Sequence, residues 1–183
     1  MLTKNDRKAL KLLLHNARIS DSDIAAKLNI SSQAVGKIRK KLEQQIIERY
    51  TLELNYAKLG VQIFAVVLAK LTKEGMDKGI LEVEHELAKH ANVLRACKIP
   101  NGNHTHIILY GFKDIQELDS FFNAERMRQN LHKYLESQDV YMFSNKSIIK
   151  NNPRQLFERM VDELGENPLK PSFRELENFK RRL

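Results

Sequence analysis

Apolar residues recur at intervals of three and four along the first 45 residues, a spacing that predicts three amphipathic helices packed against one another. Thr3, Ser20 and Ser31 stand where these helices are expected to begin, and a hydroxyl at that position caps the free amides of the first turn. Asn29 follows the second apolar run, where a helix often ends in a left-handed residue. The pattern therefore predicts a helix, a tight turn and another helix inside a three-helix unit.

The third of these helices separates its apolar side chains from its polar ones. At roughly 100° per residue, the apolar positions fall within about 60° of one another; they are Val35, Ile38 and Leu42. The opposite side carries Gln33, Lys37 and Lys40. Glutamine can bond adenine edges, and lysine suits guanine edges or phosphates, so this side is typical of a helix that enters the major groove of duplex DNA. A plain helical hairpin with a solvated side is the alternative. The caps, the turn and the charge together favour DNA binding, with phosphate contacts predicted from Ser31, Ser32, Arg39, Lys41 and Arg49.

The charge of the chain is concentrated at its N-terminal end. The formal net charge is +8, and the first 60 residues hold 12 Lys and Arg against six Asp and Glu. The remaining 123 residues hold 19 basic residues against 17 acidic ones. A basic domain joined to a nearly neutral one is expected when only the basic part meets phosphate.

Beyond the three helices, the pattern changes to one typical of strands. Tyr50, Leu52 and Leu54 alternate with polar residues and predict a half-buried strand or wing. From residue 61 onward the predicted order is a strand (63–71), a helix (74–91), two strands (93–99 and 105–112), a helix (115–137) and a last strand (140–149). This βαββαβ order is typical of a ferredoxin-like sandwich, in which two helices cover one face of a four-stranded antiparallel sheet. The predicted fold class is α+β, with domains at residues 1–60 and 61–150.

Two of the predicted strands are apolar on both faces. An antiparallel sheet that is covered on one face alternates apolar and polar residues, but residues 64–68 and 107–110 do not alternate. We therefore expect the second face of the sheet to pack against another copy of the chain. A homodimer, or a higher homo-oligomer, would also give a helix-turn-helix protein two heads for paired half-sites.

The last segment, residues 151–183, predicts a helical C-terminal extension. Its first helix is amphipathic, ends at Gly165 and carries Leu156, Phe157, Met160, Val161 and Leu164. A second helix is expected to begin at a capping box formed by Ser172 and Glu175, with Phe173, Leu176 and Phe179 as its apolar residues.

Composition excludes several classes of protein. With 42% hydrophobic residues the chain can fill a core, and no apolar run approaches the length that spans a bilayer. The N-terminus lacks the apolar core of a signal peptide. The single cysteine, Cys97, cannot form an internal disulfide framework and fits a reducing compartment. We therefore expect a soluble protein of the cytoplasm with no membrane partner.

The chain resembles the Lrp/AsnC (feast/famine) family of transcription regulators over residues 2–150. The resemblance is carried by Leu2-Thr3 with Asp6, Asn16 to Ser20, Ile24-Ala25, Ile30-Ser31, Ala34-Val35, Leu42-Glu43, Tyr50 and Leu59-Gly60. The order Ile38-Arg39 departs from the usual Arg-Ile of the family. The resemblance implies a winged helix-turn-helix followed by a regulatory domain of RAM type, and a function in sequence-specific transcriptional control. It also implies a small effector such as an amino acid, bound near the turn formed by Asn101, Gly102, Asn103 and His104.

Other functions are carried by fewer residues. His104 and His106, two apart on a predicted strand, would share a face and could hold a metal, although a structural pair is the expectation. Cys97 is expected to pack in an apolar strand rather than to sense oxidants. An enzyme similar to siroheme decarboxylases would need His104, His106 and Tyr110 around a tetrapyrrole, and an assembly protein would use residues 153–183 to hold a partner. We predict no enzymatic activity, no catalytic residue, no metal and no cofactor.

Overall fold

The computed structural model describes residues 2–123 and 131–164. Its helices are α1 (Lys4–His15), α2 (Asp21–Leu28), α3 (Ser32–Gln45), α4 (Lys73–Lys78), α5 (Ile80–Lys89), α6 (Ile115–Asn123), α7 (Leu131–Tyr134) and α8 (Arg154–Glu163). Its strands are β1 (Ile63–Leu71), β2 (Val93–Lys98), β3 (His106–Phe112) and β4 (Leu135–Ser144). Gly165 and the second helix expected in the tail, with Ser172, Phe173, Glu175, Leu176 and Phe179, lie outside the described residues.

The described residues form two compact units. Residues 2–52 and 151–164 make a helical unit, and residues 53–150 make a sheet unit. None of the described helices is long and apolar enough to cross a membrane.

The three N-terminal helices begin at the predicted caps, and α2 ends at the predicted asparagine. The Thr3 hydroxyl accepts a hydrogen bond from the Asp6 amide, and the Asp6 carboxylate accepts one from the Thr3 amide, a complete capping box. The hydroxyls of Ser20 and Ser31 accept the amides three residues on, each at 3.1 Å. Asn29 ends α2 in the left-handed region, with φ 53°. The core of this unit contains Leu10, Leu13, Ile24, Val35, Leu42 and, from α8, Val161.

The sheet unit has the ferredoxin-like arrangement. Its strands follow the order β2-β3-β1-β4, and every neighbouring pair is antiparallel. The side chains on the inner face, among them Ala65, Val67 and Ile108, pack with Val83, Leu87, Leu118 and Phe121 of the covering helices.

Several predicted element boundaries were wrong. The single helix expected at 74–91 is two helices, because Gly79 adopts φ 101° between α4 and α5. The helix expected to reach residue 137 gives way to β4 at Leu135, and β4 ends at Ser144 rather than at Ile149. The last strand therefore lies about five residues earlier than its apolar residues indicate.

The strand expected at Tyr50, Leu52 and Leu54 does not form. These residues have no regular structure, and the Leu52 side chain is 81% exposed. A strand is stable only when a neighbour accepts and donates its backbone hydrogen bonds, and no described strand of the chain pairs with this segment.

The outer face of the sheet is apolar, as its non-alternating strands predict. Val66, Leu68 and Leu109 are half-buried there, Ile107 is 41% exposed, and Tyr141 is 59% exposed. Much of this surface is thus left open by the described residues of the unit.

Candidate nucleic-acid interface

Helix α3 is fixed in the helical unit by its apolar side. Val35 and Leu42 are buried, and they share the core with Ile24 of α2 and with Leu10 and Leu13 of α1. Because the residues of a helix that lie opposite a buried stripe face outward, this packing determines which side chains α3 presents to solvent.

The predicted reading residues lie on that outward side. Gln33, Lys37 and Lys40 are all exposed. Helix α8 packs against α1 and is joined to it by an ion pair of 2.6 Å between Lys11 and Asp162. The C-terminal extension, as far as it is described, therefore leaves these side chains uncovered.

The beginning of α3 offers groups that suit an anion. Ser31 and Ser32 are exposed, and the Ser31 hydroxyl is engaged with the Ala34 amide. The first turn of a helix presents amide hydrogens without helical partners and the positive end of the helix dipole. Arg49, also exposed, lies in the segment that follows the helix.

Two of the predicted phosphate contacts are paired within the protein. Arg39 donates from Nε to Oδ1 of Asp21 at 2.8 Å and from Nη2 to the Ile19 carbonyl at 2.9 Å. Nζ of Lys41 lies 2.6 Å from Oδ2 of the buried Asp6. Burial alone would raise the pKa of Asp6, but the bonds from Lys41 and Thr3 outweigh it and leave that pKa lowered. A phosphate would have to compete with these carboxylates.

Tyr50 extends the same network beyond the end of α3. Its hydroxyl donates to Oε1 of Glu43 at 2.9 Å. Burial raises the pKa of Tyr50, and the neighbouring Arg39 opposes that rise. The role of Asp21 in this network is not visible in the sequence, since the acid lies 18 residues from Arg39.

The turn predicted to hold an effector lies at one end of the sheet. Asn101, Gly102 and Asn103 are exposed, and Gly102 adopts φ 117°. His104 is half-buried, with Nε2 3.2 Å from Oδ2 of Asp139 on β4. The residues come together as a turn, and their contact with an effector stays a prediction.

The two histidines do not share a strand face. His104 precedes β3, whereas His106 begins it and is 1% exposed. Nδ1 of His106 lies 2.9 Å from the Thr105 hydroxyl, and its Nε2 lies 3.5 Å from Oε1 of Glu84. Across the described residues, no three His, Cys, Asp or Glu side chains are grouped as a metal would need.

Two candidates remain, Tyr110 and Cys97. Tyr110 is buried among Phe112, Phe121 and Phe122, and burial raises its pKa. Of the three residues considered around a tetrapyrrole, His106 and Tyr110 are thus buried and His104 is half-buried. Cys97 is exposed, so the expectation that it packs in the core was wrong. The reason is that β2 is an edge strand whose last five residues are all exposed.

Comparison with known proteins points to one family of regulators. A family model for winged helix-turn-helix DNA-binding matches residues 2–45. An uncharacterised HTH-type transcriptional regulator of Pyrococcus furiosus is 32% identical over 120 residues, which are 65% of this chain and 78% of that protein. The HTH-type transcriptional regulator LrpA of Pyrococcus horikoshii is 31% identical over 119 residues, or 64% of this chain and 81% of LrpA.

Solved structures share the fold. A transcriptional regulator of Neisseria meningitidis, determined as a complex with L-Met, superposes with a TM-score of 0.67 at 19% identity, covering 83% of this chain and 94% of that one. AsnC of E. coli gives 0.63 at 20% identity, covering 82% and 94%.

Proposed function

Because the chain belongs to the Lrp/AsnC family of helix-turn-helix transcriptional regulators, we propose that it binds specific sites in double-stranded DNA through α3. Gln33, Lys37 and Lys40 face base edges, and the phosphate contacts come from Ser31, Ser32 and Arg49. The observation that carries the proposal is the exposed polar side of a helix whose opposite side is locked in the core.

The dimensions of α3 support this role. The helix has 14 residues, which at 1.5 Å per residue make it about 21 Å long. A helix of this kind fits the major groove, which is about 12 Å wide. Residues 33, 37 and 40 recur every three to four positions, so one row of side chains runs along the groove floor.

The protein acts as a homodimer or higher oligomer, joined through the outer face of its sheet. The support is the apolar surface of Ile107, Tyr141 and their half-buried neighbours, which a second copy would remove from water. Two copies carry two α3 helices, and a helix-turn-helix dimer reads half-sites about 34 Å apart.

Successive segments of the chain have different roles. Residues 1–60 bind DNA, residues 61–150 dimerise and respond to an effector, and residues 151–183 form a C-terminal extension. The effector is a small molecule such as an amino acid, held near Asn101, Gly102, Asn103 and His104. The protein works in the cytoplasm without enzymatic activity, metal or cofactor.

The decisive experiment removes the two lysines of the reading side. A duplex enriched from a random pool by the wild-type protein serves as the probe, and fluorescence anisotropy measures Kd over a series of salt concentrations. Lys37→Ala with Lys40→Ala is expected to weaken binding. The slope of log K against log salt is also expected to become shallower, because two cations leave a groove lined by phosphates; the change is at most about 1.8, since each neutralised phosphate contributes about 0.9.

The matched control removes two lysines from α1. Lys4 and Lys8 are exposed and lie on a different helix of the same unit. Lys4→Ala with Lys8→Ala is expected to leave both Kd and base preference nearly unchanged. Equal losses from the two double variants would mean that net charge, rather than α3, determines binding, and would contradict the proposal.

A further inference from the structure

The guanidinium of Arg39 ties the middle of α3 to the beginning of α2. Its Nη2 is 2.7 Å from Oδ1 of Asp21, and its Nε donates to the same oxygen at 2.8 Å. Nη2 also donates to the Ile19 carbonyl in the turn before α2. The Arg39 side chain is only 21% exposed. One side chain thus spans the two helices of the helix-turn-helix.

The Asp21 carboxylate approaches α3 at two positions that are three residues apart, Gly36 and Arg39. Its Oδ1 meets Arg39, and its Oδ2 lies 3.6 Å from the point where a Cβ on Gly36 would stand. At roughly 100° per residue, position 36 lies beside position 40 on the helix surface, and position 39 lies one step farther from the reading row. The contact with α2 therefore borders the side chains that face DNA.

The pairing is stronger than an exposed ion pair. Two donors of a planar guanidinium are fixed by one carboxylate oxygen and one carbonyl, which gives the bond a defined direction. Burial would lower the pKa of Arg39, but the bonds to Tyr50 and Asp21 outweigh it and raise that pKa. Leaving Asp21 for a DNA phosphate would forfeit these bonds.

We infer that Arg39 is a positioning residue, which sets the angle of α3 against α2 through Asp21 rather than contacting the DNA phosphate that its basic charge suggests. This inference rests on the proposed DNA-binding function and names a residue that governs its specificity. The order Ile38-Arg39 makes the bond available, because it places the arginine on the side of α3 that faces Asp21.

Removal of Asp21 distinguishes the two roles, because they predict opposite results. If Arg39 positions α3, Asp21→Ala weakens binding to the enriched duplex by about tenfold, the size of losing one base contact, while binding to a scrambled duplex is unchanged or tighter. If Arg39 contacts phosphate, Asp21→Ala frees the guanidinium and strengthens binding to both duplexes. The second result would overturn the inference.

The salt dependence of the Arg39 variant gives an independent measurement. Arg39→Gln is expected to weaken specific binding to a similar extent as Asp21→Ala, with an unchanged slope of log K against log salt. A slope that is shallower by about 0.9 would identify a phosphate contact and reject the positioning role. Asp21→Ala combined with Arg39→Gln is expected to lose no more specific affinity than either single variant, since each substitution removes the same bond.

Two controls separate positioning from folding and from general charge. Asp23→Ala removes an equal charge from the same turn of α2, but the Asp23 carboxylate accepts its hydrogen bond from the hydroxyl of Ser20, the N-cap of its own helix, and not from α3. It is expected to keep the specific-to-scrambled ratio of the wild type. Circular dichroism at the assay temperature establishes that each variant is folded, and variants that lose thermal stability without losing that ratio would show a merely structural role and overturn the inference. The two proposals fail on different results. If Lys37→Ala with Lys40→Ala leaves specific binding intact, the proposal that α3 reads DNA is wrong. If that double variant weakens binding as expected but Asp21→Ala and Arg39→Gln do not give their expected results, α3 still reads DNA and only the positioning role of Arg39 is wrong.

Discussion

At the scale of single residues, the burial of His106 disfavours its protonated form. It is 1% exposed, and the titratable or charged groups that face it are Glu84 of α5 and Lys98 of β2. Burial lowers the pKa of His106 from its ordinary 6.5, with Lys98 adding to the effect and Glu84 opposing it. In the folded protein this histidine is therefore neutral at a pH where the unfolded chain already binds a proton.

The sign of the pH dependence follows from that difference. Because the folded pKa is lower than the unfolded one, stability is fully present above about pH 6.5 and is lost as the pH falls from there toward the lowered folded pKa. We expect His106→Gln to reduce the decline in unfolding free energy between pH 7 and 5, a decline of at most about 1.4 kcal/mol per pH unit for one proton. Urea unfolding at a series of pH values measures it. An unchanged slope in His106→Gln would assign the decline to other groups.

The residue-scale predictions from sequence succeeded where the partners are close in the chain. The caps at Thr3, Ser20 and Ser31 involve amides three residues away, so residue type and spacing suffice to predict them. The partner of Arg39 is 18 residues away and that of Lys41 is 35 residues away. A basic residue on an exposed helix looks like a phosphate contact until the fold brings an acid beside it.

At the scale of elements, α8 is the part of the chain that the resemblance to the family does not explain. Its Val161 is buried with Leu10 and Leu13 of α1, while Phe157 on the same helix is 46% exposed. Nε2 of His15 also lies 2.8 Å from Oε1 of Glu158. The helix thus adds a fourth element to the core of the DNA-binding unit from the far end of the sequence.

Truncation of Val161 tests this structural role. Val161→Ala removes two methyl groups from the core, which is expected to lower the unfolding free energy of the helical unit by about 1.5 kcal/mol. Phe157→Ala on the same helix is expected to cost less per carbon atom removed, because nearly half of that side chain is already in water. Chemical denaturation followed by circular dichroism compares the two. A larger loss per carbon atom from Phe157→Ala would mean that α8 packs through a different side.

Element types were easier to predict than element ends. The amphipathic pattern predicted α8, although Val161 alone of its five expected apolar residues is buried, and the order of strands and helices predicted the sheet topology. The helix expected at 74–91 contains Gly79, whose positive φ is a local feature that periodicity does not register. Residues 50–54 have the alternation of a strand but lack a described partner strand, and a strand depends on contacts that are distant in sequence.

At the scale of the whole molecule, charge and apolar surface are divided between the two units. The basic excess lies in the first 60 residues, which include the exposed side of α3. The sheet unit instead exposes apolar side chains on its outer face. One unit is thus suited to a polyanion and the other to a second apolar surface, which is the division that a dimeric DNA-binding protein requires.

A charge placed on the outer face of the sheet tests the second half of this division. Ile107 is 41% exposed on β3, one of the two central strands of the sheet, so Ile107→Asp disturbs a monomer little. In a dimer the new carboxylate would be buried without a partner, at a cost of several kcal/mol, and the dimer dissociation constant should rise by at least about 100-fold. Sedimentation velocity is expected to show a dimer for the wild type and for Leu81→Asp, whose leucine is 75% exposed on α5, but a monomer for Ile107→Asp. The affinity of Ile107→Asp for a duplex with two half-sites should fall. Its affinity for a single half-site should be retained, because the α3 surface of each copy is unchanged. A dimer that survives Ile107→Asp must be joined through another face.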